Sequence, residues 1–229
     1  VVFRTRWRWT GWDKAGAPRF ETPEGEAAIA ADVVVLSPGG ASWPRLGSDG
    51  GWGALLPVVP FRPSNCGFSV DWGGPVRDRF AGQPLKRIAV LFRDRTVRGE
   101  AMITANGLEG GAVYALSPAI RDAIAAEGPV TVSIDLRPDV PLGALRAQVD
   151  GDRRGQSVAS VLRKRARLTP VAAALVQDAL HRGAGSEGLA SLIKAVPVRF
   201  TAPFGIERAI SSAGGLRVGA DFAVPGHPG

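Results

Sequence analysis

Two pairs of adjacent glycines are the residues of this 229-residue chain whose types and spacing best suit a chemical role. The first pair, Gly39-Gly40, follows the apolar run Val33–Leu36 and leads into Ala41-Ser42-Trp43-Pro44. A glycine pair lets the backbone turn sharply and approach a ligand with no Cβ in the way. Because nucleotide cofactors lie at the strand ends of α/β sheets, this segment predicts a flavin or nucleotide contact.

The second pair, Gly214-Gly215, ends the segment Glu207–Leu216, in which most residues are small. A purely structural interpretation is a corner between a strand and a turn. The two pairs flank residues 57–198, whose sequence pattern differs from that of both ends. Both pairs can therefore come from one parent domain, and we expect them to form two sides of one cofactor site.

Two further motifs carry less weight. Residues 183–188 match G-x-G-x-x-G, but the preceding residues 171–180 are alanine-rich and follow a capping threonine and a proline. That pattern predicts a helix, whereas the dinucleotide motif must follow a strand, so we interpret residues 183–188 as a loop between helices. Glu109 lies two residues after Gly107 and directly before Gly110-Gly111, and it could serve as a general base. A tight connection from strand to helix with a solvated Glu109 is the favoured interpretation.

Several chemistries have no support in the sequence. No Ser/His/Asp or Cys/His set is assembled by spacing, and the only histidines, His181 and His227, make a zinc site improbable. The single cysteine, Cys66, excludes an internal disulfide and indicates a reducing, cytoplasmic location. No apolar run approaches the length of a membrane span, and no leader is visible.

The net charge of +7 comes from arginines that are scattered along the chain. Only residues 163–167 form a dense basic cluster, and this cluster lies in a helical pattern without aromatic residues to stack on bases. Solvated arginines on several faces are therefore the favoured interpretation, and we do not expect a nucleic-acid partner. A non-enzymatic basic module that binds RNA or an acidic partner is the alternative.

Short strands are predicted before the first glycine pair. Residues 1–9 alternate between apolar residues and arginines, which predicts a half-buried antiparallel strand. Residues 19–22 and 27–30 predict the second and third strands of a meander. The run Val33–Leu36 predicts a strand that is buried on both faces, as in a parallel sheet.

The middle of the chain predicts strands first and short helices afterwards. Helix starts are indicated at Ser117-Pro118 and Thr169-Pro170, where a capping residue precedes a proline. Ser157 and Ser186 are predicted to cap two further helices, and residues 197–202 to form a strand that returns the chain to the first domain. The remaining strands are predicted at Cys66–Trp72, Ile88–Phe92, Arg98–Thr104 and Val130–Leu136.

Five segments taken together resemble one known family, in the family's own order over nearly the whole chain. They are Gly39–Gly50, Arg62–Phe68, Phe80–Lys86, Glu109–Leu116 and Ala209–Gly215. The set is similar to the FAD-dependent oxidoreductases that include the bile-acid-inducible flavoprotein and proteins of the aminoacetone oxidase type, in particular to an uncharacterised proteobacterial flavoprotein subgroup.

The resemblance implies an α/β protein (α+β overall) with a partial Rossmann-like FAD-binding domain that contains a three-stranded meander. This domain would comprise residues 1–56 and 199–229. The inserted domain would comprise residues 57–198, with β-barrel-like strands at about 57–136 and a small helical cluster at about 117–127 and 139–195.

The resemblance also implies where the cofactor lies. The expected cofactor is FAD, NAD(P)H is a candidate electron donor, and the substrate and the catalytic residues stay open. No metal is expected. The residues expected near the cofactor are Gly39, Gly40, Ala41, Ser42 and Pro44, and in second place Gly214 and Gly215.

The sequence departs from the family's pattern at both ends. The family's N-terminal strand-G-x-G-x-x-G-helix, on which the FAD pyrophosphate rests, does not precede Val1, and its C-terminal flavin segment does not appear before Gly229. We therefore interpret the chain as a fragment, and we expect it not to retain FAD through purification without added cofactor.

Overall fold

The computed structural model describes residues 1–152, 155–217 and 219. It divides into two compact units, of which the first comprises Val1–Pro63 and the chain from Ser211 onward, and the second comprises Ser64–Ile210. Residues 153 and 154 of the predicted helical cluster, and residues 218 and 220–229 of the predicted FAD domain, lie outside the described residues.

Strands and helices occur in runs along the chain, with most strands in the first half and most helices in the second. The strands are β1 (Arg8–Trp12), β2 (Pro18–Thr22), β3 (Gly25–Ala28), β4 (Val58–Ser64), β5 (Phe68–Val70), β6 (Pro84–Phe92), β7 (Arg95–Thr104), β8 (Gly107–Glu109), β9 (Val130–Asp135), β10 (Val196–Pro203) and β11 (Ser211–Leu216). The helices are α1 (Gly74–Phe80), α2 (Gly111–Tyr114), α3 (Ser117–Glu127), α4 (Leu142–Val149), α5 (Val158–Lys164), α6 (Pro170–His181) and α7 (Leu189–Lys194). The predicted fold class, with barrel strands and a helical cluster in the inserted part, is confirmed.

The first unit contains the predicted meander, in which β2 pairs antiparallel with both β1 and β3. The predicted strand over residues 1–9 is wrong in its extent, because β1 begins only at Arg8. Its partner β2 is five residues long and ends at Thr22, so the alternating residues before Arg8 find no strand to pair with. Alternation thus indicated a strand but did not fix its bounds.

The predicted buried strand at Val33–Leu36 is also wrong. Residues 33–40 have no regular secondary structure, and Val33 and Val35 are 79% and 80% exposed. A strand buried on both faces needs a neighbour on each side, whereas no strand pair among the described residues includes this run. The remaining pairing in this unit is the two-stranded sheet of β4 and β11.

The second unit is built on a closed six-stranded barrel in the order β10-β5-β8-β7-β6-β9. Along β10, Val196, Val198 and Phe200 are buried while Pro197 and Arg199 are exposed, which is the two-residue period of a strand with one face in a core. Pairing of β10 with both β5 and β9 closes the barrel. Closure removes the free strand edges that an open sheet would leave.

The strand predicted at residues 197–202 exists as β10, but it does not leave the inserted domain. It completes the barrel, so residues 199–210, which the sequence assigned to the FAD domain, belong to the second unit. A strand's sequence pattern reports that one face is buried, and it does not report which sheet supplies the partners.

Two of the predicted helix caps are confirmed. The Thr169 hydroxyl accepts from the backbone N–H of Ala172 (3.4 Å), and the Ser157 hydroxyl accepts from that of Ser160 (3.3 Å). A helix does begin at Ser117, but its hydroxyl donates to the Tyr114 carbonyl and does not cap it.

The cap predicted at Ser186 is wrong. Helix α7 begins at Leu189, and the Asp150 carboxylate, from the end of α4, accepts from the N–H groups of Leu189 (2.8 Å) and Ala190 (3.1 Å). A side chain distant in sequence therefore satisfies the donors that a local serine was expected to satisfy.

One continuous hydrophobic core joins the barrel to helices α1–α7 in the second unit. The chain enters and leaves this unit at neighbouring points, because the Ile210 N–H donates to the Asn65 carbonyl (3.1 Å). Among the helices that the structure describes, none is both long and apolar enough to cross a lipid bilayer.

Candidate functional site

The two predicted glycine segments meet in the first unit. The backbone N–H of Ala41 donates to the hydroxyl of Ser212, 3.1 Å away and 171 residues later in the chain. A Cβ added to Gly40 would lie 2.0 Å from the same hydroxyl oxygen, so only glycine permits this approach. The structure therefore brings the segment 39–42 against β11, as the sequence argument expected of two sides of one site.

The second glycine pair lies within β11 itself. Gly214 has a φ of +99°, and a Cβ at this position would lie 2.5 Å from the Pro60 carbonyl oxygen in β4. Gly215 has a φ of +106°. Close packing of β11 on β4 thus accounts for Gly214 whether or not a ligand is bound.

The remaining predicted residues differ in exposure. Ser42 is buried, whereas Pro44 is exposed and starts a short 3-10 helix over Pro44–Leu46. Trp43 between them exchanges backbone hydrogen bonds with Ser48, which folds residues 43–48 into a tight loop. The N–H groups of Trp43, Leu46, Gly47 and Ser48 all donate to carbonyls of this loop, so they hold the loop together and are not available to a ligand.

A cavity of about 720 Å³ lies beside this loop in the same unit, and we call it the tryptophan cavity. Trp7, Trp9 and Trp52 line it together with Arg8 and the acidic residues Glu21 and Asp49, whereas none of the predicted cofactor residues at 39–44 and 214–215 is in its lining. The Trp52 indole N–H donates to the Gly39 carbonyl (3.0 Å), which ties the cavity to the first glycine pair. The aromatic rings suit a flat ring system, and Arg8 is the one cation of the lining, whereas Glu21 and Asp49 would repel an anionic group placed beside them.

Trp9 contributes the most informative atom of the cavity. Its indole nitrogen is buried and, within the part of the chain that the structure describes, has no hydrogen-bond partner. An unsatisfied buried donor costs about 1–3 kcal/mol, so such donors are rare and call for an explanation. A ligand acceptor could reach this nitrogen only where the atoms that now cover it shift aside. Sequence reasoning missed this site, although the alternation of Trp7 and Trp9 with arginines was visible.

A second polar group is buried in the other unit. Cys66 and Ser117 are fully buried, and Arg121 is 7% exposed. Burial raises the pKa of the Cys66 thiol, and the Arg121 charge and a hydrogen bond with Ser117 oppose this only in part. Burial and the nearby Glu109 carboxylate likewise raise the pKa of Tyr114.

Cys66 should therefore react slowly with thiol reagents in the folded protein. The thiolate is the reactive form, and burial reduces both its population and its access to reagent. At pH 8 we expect alkylation by iodoacetamide to be slower by about tenfold or more in buffer than in 8 M urea, because the fold both lowers the thiolate population and blocks the reagent. Equal rates, measured by mass spectrometry, would contradict the buried position.

Glu109 does not stand alone in solvent as expected. Its side chain is 30% exposed, and its carboxylate lies 3.8 Å from the guanidinium of Arg208, which in turn stacks over Phe204 at 4.2 Å. Gly67 makes this packing feasible, because a Cβ there would lie 2.7 Å from both Glu109 and the Phe204 ring. The predicted strand-to-helix connection itself is present between β8 and α2.

One other sequence inference has a structural counterpart. Residues 183–188 form the connection between α6 and α7, so their G-x-G-x-x-G pattern does not follow a strand and the rejection of that motif is confirmed. Among the described residues, no group of three or more His, Cys, Asp or Glu side chains is arranged to hold a metal ion.

Comparison with known proteins bears on the identity of the second unit. A family model described as "HI0933-like protein barrel and H2TH domain" matches residues 62–211, which includes every strand of the barrel and the helices α1–α7. No curated protein matches the chain. Since the match extends over more than half of the chain and coincides with the closed barrel and its helices, this chain belongs to the HI0933-like barrel and H2TH family, a family within the FAD-dependent oxidoreductases.

Proposed function

We propose that this chain is a module of a flavoprotein oxidoreductase and that its first unit contacts FAD. The observation that carries the proposal is the hydrogen bond from Ala41 to Ser212 beside the tryptophan cavity. It joins the two segments in which the family resemblance places the cofactor. Membership in a family of FAD-dependent oxidoreductases supports the choice of flavin over other planar ligands.

Several residues around the cavity suit parts of FAD, whose phosphates would have to lie away from Glu21 and Asp49. The buried Trp9 N–H offers a hydrogen bond to a ring nitrogen or carbonyl, and Arg8 offers a charge to a phosphate. The backbone of residues 39–42, with Pro44, and the pair Gly214-Gly215 would approach the cofactor closely. When bound, FAD supplies the electron-transfer chemistry, and this chain's residues bind and orient it.

The donor and acceptor of electrons belong to the same proposal. NAD(P)H is our candidate electron donor, and the substrate is a small molecule of unassigned class. A cytoplasmic location is consistent with the single, buried, free Cys66. Nucleic acid is not among the proposed partners.

Replacing Trp9 with phenylalanine tests the cofactor site. We expect the purified chain to bind added FAD reversibly, and the W9F variant to bind it about five- to tenfold more weakly, because one hydrogen bond of about 1 kcal/mol is lost. The melting temperature without FAD should be unchanged or higher, since the substitution removes an unsatisfied buried donor. Isothermal titration calorimetry and thermal melts give both quantities.

Trp12→Phe is the matched control, since Trp12 lies in the same strand, edge-on to Trp9 at 5.7 Å, but does not line the cavity. Its FAD affinity should stay within about twofold of that of the unsubstituted chain. Equal FAD affinity in W9F and the unsubstituted chain, or no FAD binding by either, would contradict the proposed site. Salt-sensitive binding of generic RNA would instead favour a basic module.

A further inference from the structure

A cavity of about 490 Å³ lies in the second unit, between α1, α5 and α6, and nothing in the flavin proposal uses it. We call it the helical cavity. Its volume lies within the range of about 300–1,000 Å³ that is typical of small-molecule sites. It is formed within one compact unit with a continuous hydrophobic core, so its shape does not depend on the tryptophan cavity.

The floor of the helical cavity is apolar and is provided largely by one face of α6. Ala173 and Ala174 lie on the face that begins at Pro170 and continues to Gln177 and His181, which is the spacing of a single helical stripe. The opposite face of α6 is buried in the core by larger residues. Alanines on the first face leave open the space that larger side chains would fill, and Val76 and Phe80 of α1 complete the apolar lining.

The rim of the helical cavity is cationic. Arg79 at the end of α1 and Arg163 near the end of α5 both line it, and both are exposed. Among the described residues, neither arginine forms an ion pair with an acidic side chain, whereas the guanidinium of Arg79 lies 5.6 Å from the Phe80 ring. The one acidic residue of the lining, Asp178, is already engaged, because its carboxylate accepts from Arg182 (2.9 Å).

The other polar groups of the rim are engaged or uncharged. His181 donates through Nδ1 to the Gln177 carbonyl (2.6 Å), so Nε2 of the neutral ring is an acceptor and offers no hydrogen bond to a carboxylate. Arg182, which neutralises Asp178, also donates to the Asp71 carbonyl and so holds the start of α1 beside α6. The helical cavity thus combines an apolar interior with a rim whose unengaged charges are positive.

We propose that the helical cavity binds a small amphipathic carboxylate, with an unbranched acyl chain on the alanine face of α6 and the carboxylate at Arg163 and Arg79. An inorganic anion would leave the apolar floor exposed to water, and an uncharged hydrocarbon would leave the two arginines without a partner. Only a ligand with both parts satisfies both features, since arginine binds carboxylates through paired hydrogen bonds and apolar burial stabilises the chain.

Calorimetric titration with hexanoate, octanoate, decanoate and dodecanoate, each below its micellar concentration, tests the chain-length dependence. We expect the affinity to rise by up to about fourfold for each added CH₂ until the chain fills the cavity, and then to stop rising. Decan-1-ol, which has the chain without the carboxylate, should bind at least about tenfold more weakly than decanoate. Equal affinity along the series, or no binding, would overturn the proposal.

Two variants on one helix locate the carboxylate. Arg163→Glu should weaken decanoate binding by about tenfold or more, because a charged hydrogen bond is lost and a repulsion is introduced. Lys164→Glu makes the same change of charge at the adjacent position, which is also exposed but does not line the cavity, and should leave the affinity within about twofold. Equal losses in both variants would show general electrostatic attraction and overturn the assigned site.

A third variant locates the acyl chain. Ala174→Phe should fill the floor of the cavity and abolish the dependence of affinity on chain length. Thermal melting shows whether this variant folds. If it does not fold, the comparison of Arg163→Glu with Lys164→Glu still tests the proposed site. Sedimentation of the unsubstituted chain tests whether a second copy of the chain occupies the cavity instead. Dimerisation that decanoate does not affect and that Arg163→Glu prevents would assign the cavity to a second copy of the chain and overturn the proposal.

Discussion

Replacing Phe200 with alanine should destabilise the second unit by about 3–5 kcal/mol, the usual cost of deleting a fully buried aromatic ring. Phe200 is fully buried in β10 and stacks on Phe68 with ring centroids 5.1 Å apart and an interplanar angle of 11°. Because β10 closes the barrel by pairing with two strands, the vacated space lies where the closing strand meets the core. Urea unfolding followed by circular dichroism gives the free energy.

Phe3→Ala is the matched control, because Phe3 is 86% exposed and its removal should change the unfolding free energy by less than about 0.5 kcal/mol. Two units need not unfold together, so hydrogen exchange of the β9 and β10 amides should assign the Phe200 effect to the barrel. A loss below about 1 kcal/mol in Phe200→Ala would show that the Phe68–Phe200 stack is not a packed core contact.

Gly107→Ala should cost about 3 kcal/mol or more, although it adds a single methyl group. Gly107 is buried at the start of β8, and a Cβ there would lie 1.9 Å from the Phe68 carbonyl oxygen and 2.9 Å from the Phe204 ring. The nearest atom belongs to backbone that is paired across β5 and β8, so it cannot move aside without breaking the barrel. Such overpacking costs about 1–3 kcal/mol in ordinary cores and more where the backbone must move.

Gly143→Ala is the control for the change from glycine to alanine. Gly143 lies in α4 and a Cβ there would meet no atom within 4 Å, so the substitution should stabilise the protein by about 0.5–1 kcal/mol. Thermal melts of both variants suffice, since 1 kcal/mol shifts the melting temperature by about 2–4 °C in a protein of this size. Similar melting temperatures for the two variants would contradict the close packing at Gly107.

Elements with strong local signals were predictable from the sequence. Helix α6 was anticipated at its start from Thr169-Pro170, and Thr169 does cap it. Strand β9 was anticipated as Val130–Leu136 and is observed over Val130–Asp135. In both cases the turn residue, the cap and the apolar spacing all act within a few residues, so one chain segment contains the whole signal.

Features that depend on distant partners were not predictable. The capping of α7 by Asp150 joins residues about 40 positions apart, and a local reading selected Ser186 instead. The apolar run Val33–Leu36 has the composition of a buried strand, but it has no strand to pair with among the described residues. Composition shows that a segment is able to form a strand, whereas the availability of a partner strand decides whether it forms one.

The candidate site also has features that were predictable from the sequence and features that were not. The glycine pairs were visible because glycine has a local signature, and their expected proximity rested on the pattern of an insertion. The atoms that make the site specific, the Ser212 hydroxyl against Ala41 and the unpartnered Trp9 N–H, emerge only from the fold. Hydrogen-bond satisfaction is a property of three-dimensional neighbours and leaves no trace in residue order.

The hydrogen bond between Ile210 and Asn65 has a consequence for how such a protein can evolve. The 147 residues from Ser64 to Ile210 start and end at neighbouring positions, since a single hydrogen bond joins their two ends. They can therefore be inserted into a chain in the way that a short loop can. Evolution can therefore add, remove or exchange a closed barrel with a complete core at this point, and the two flanking chain segments need not move apart. The same geometry lets the unit from Ser64 to Ile210 acquire a ligand of its own independently of the first unit.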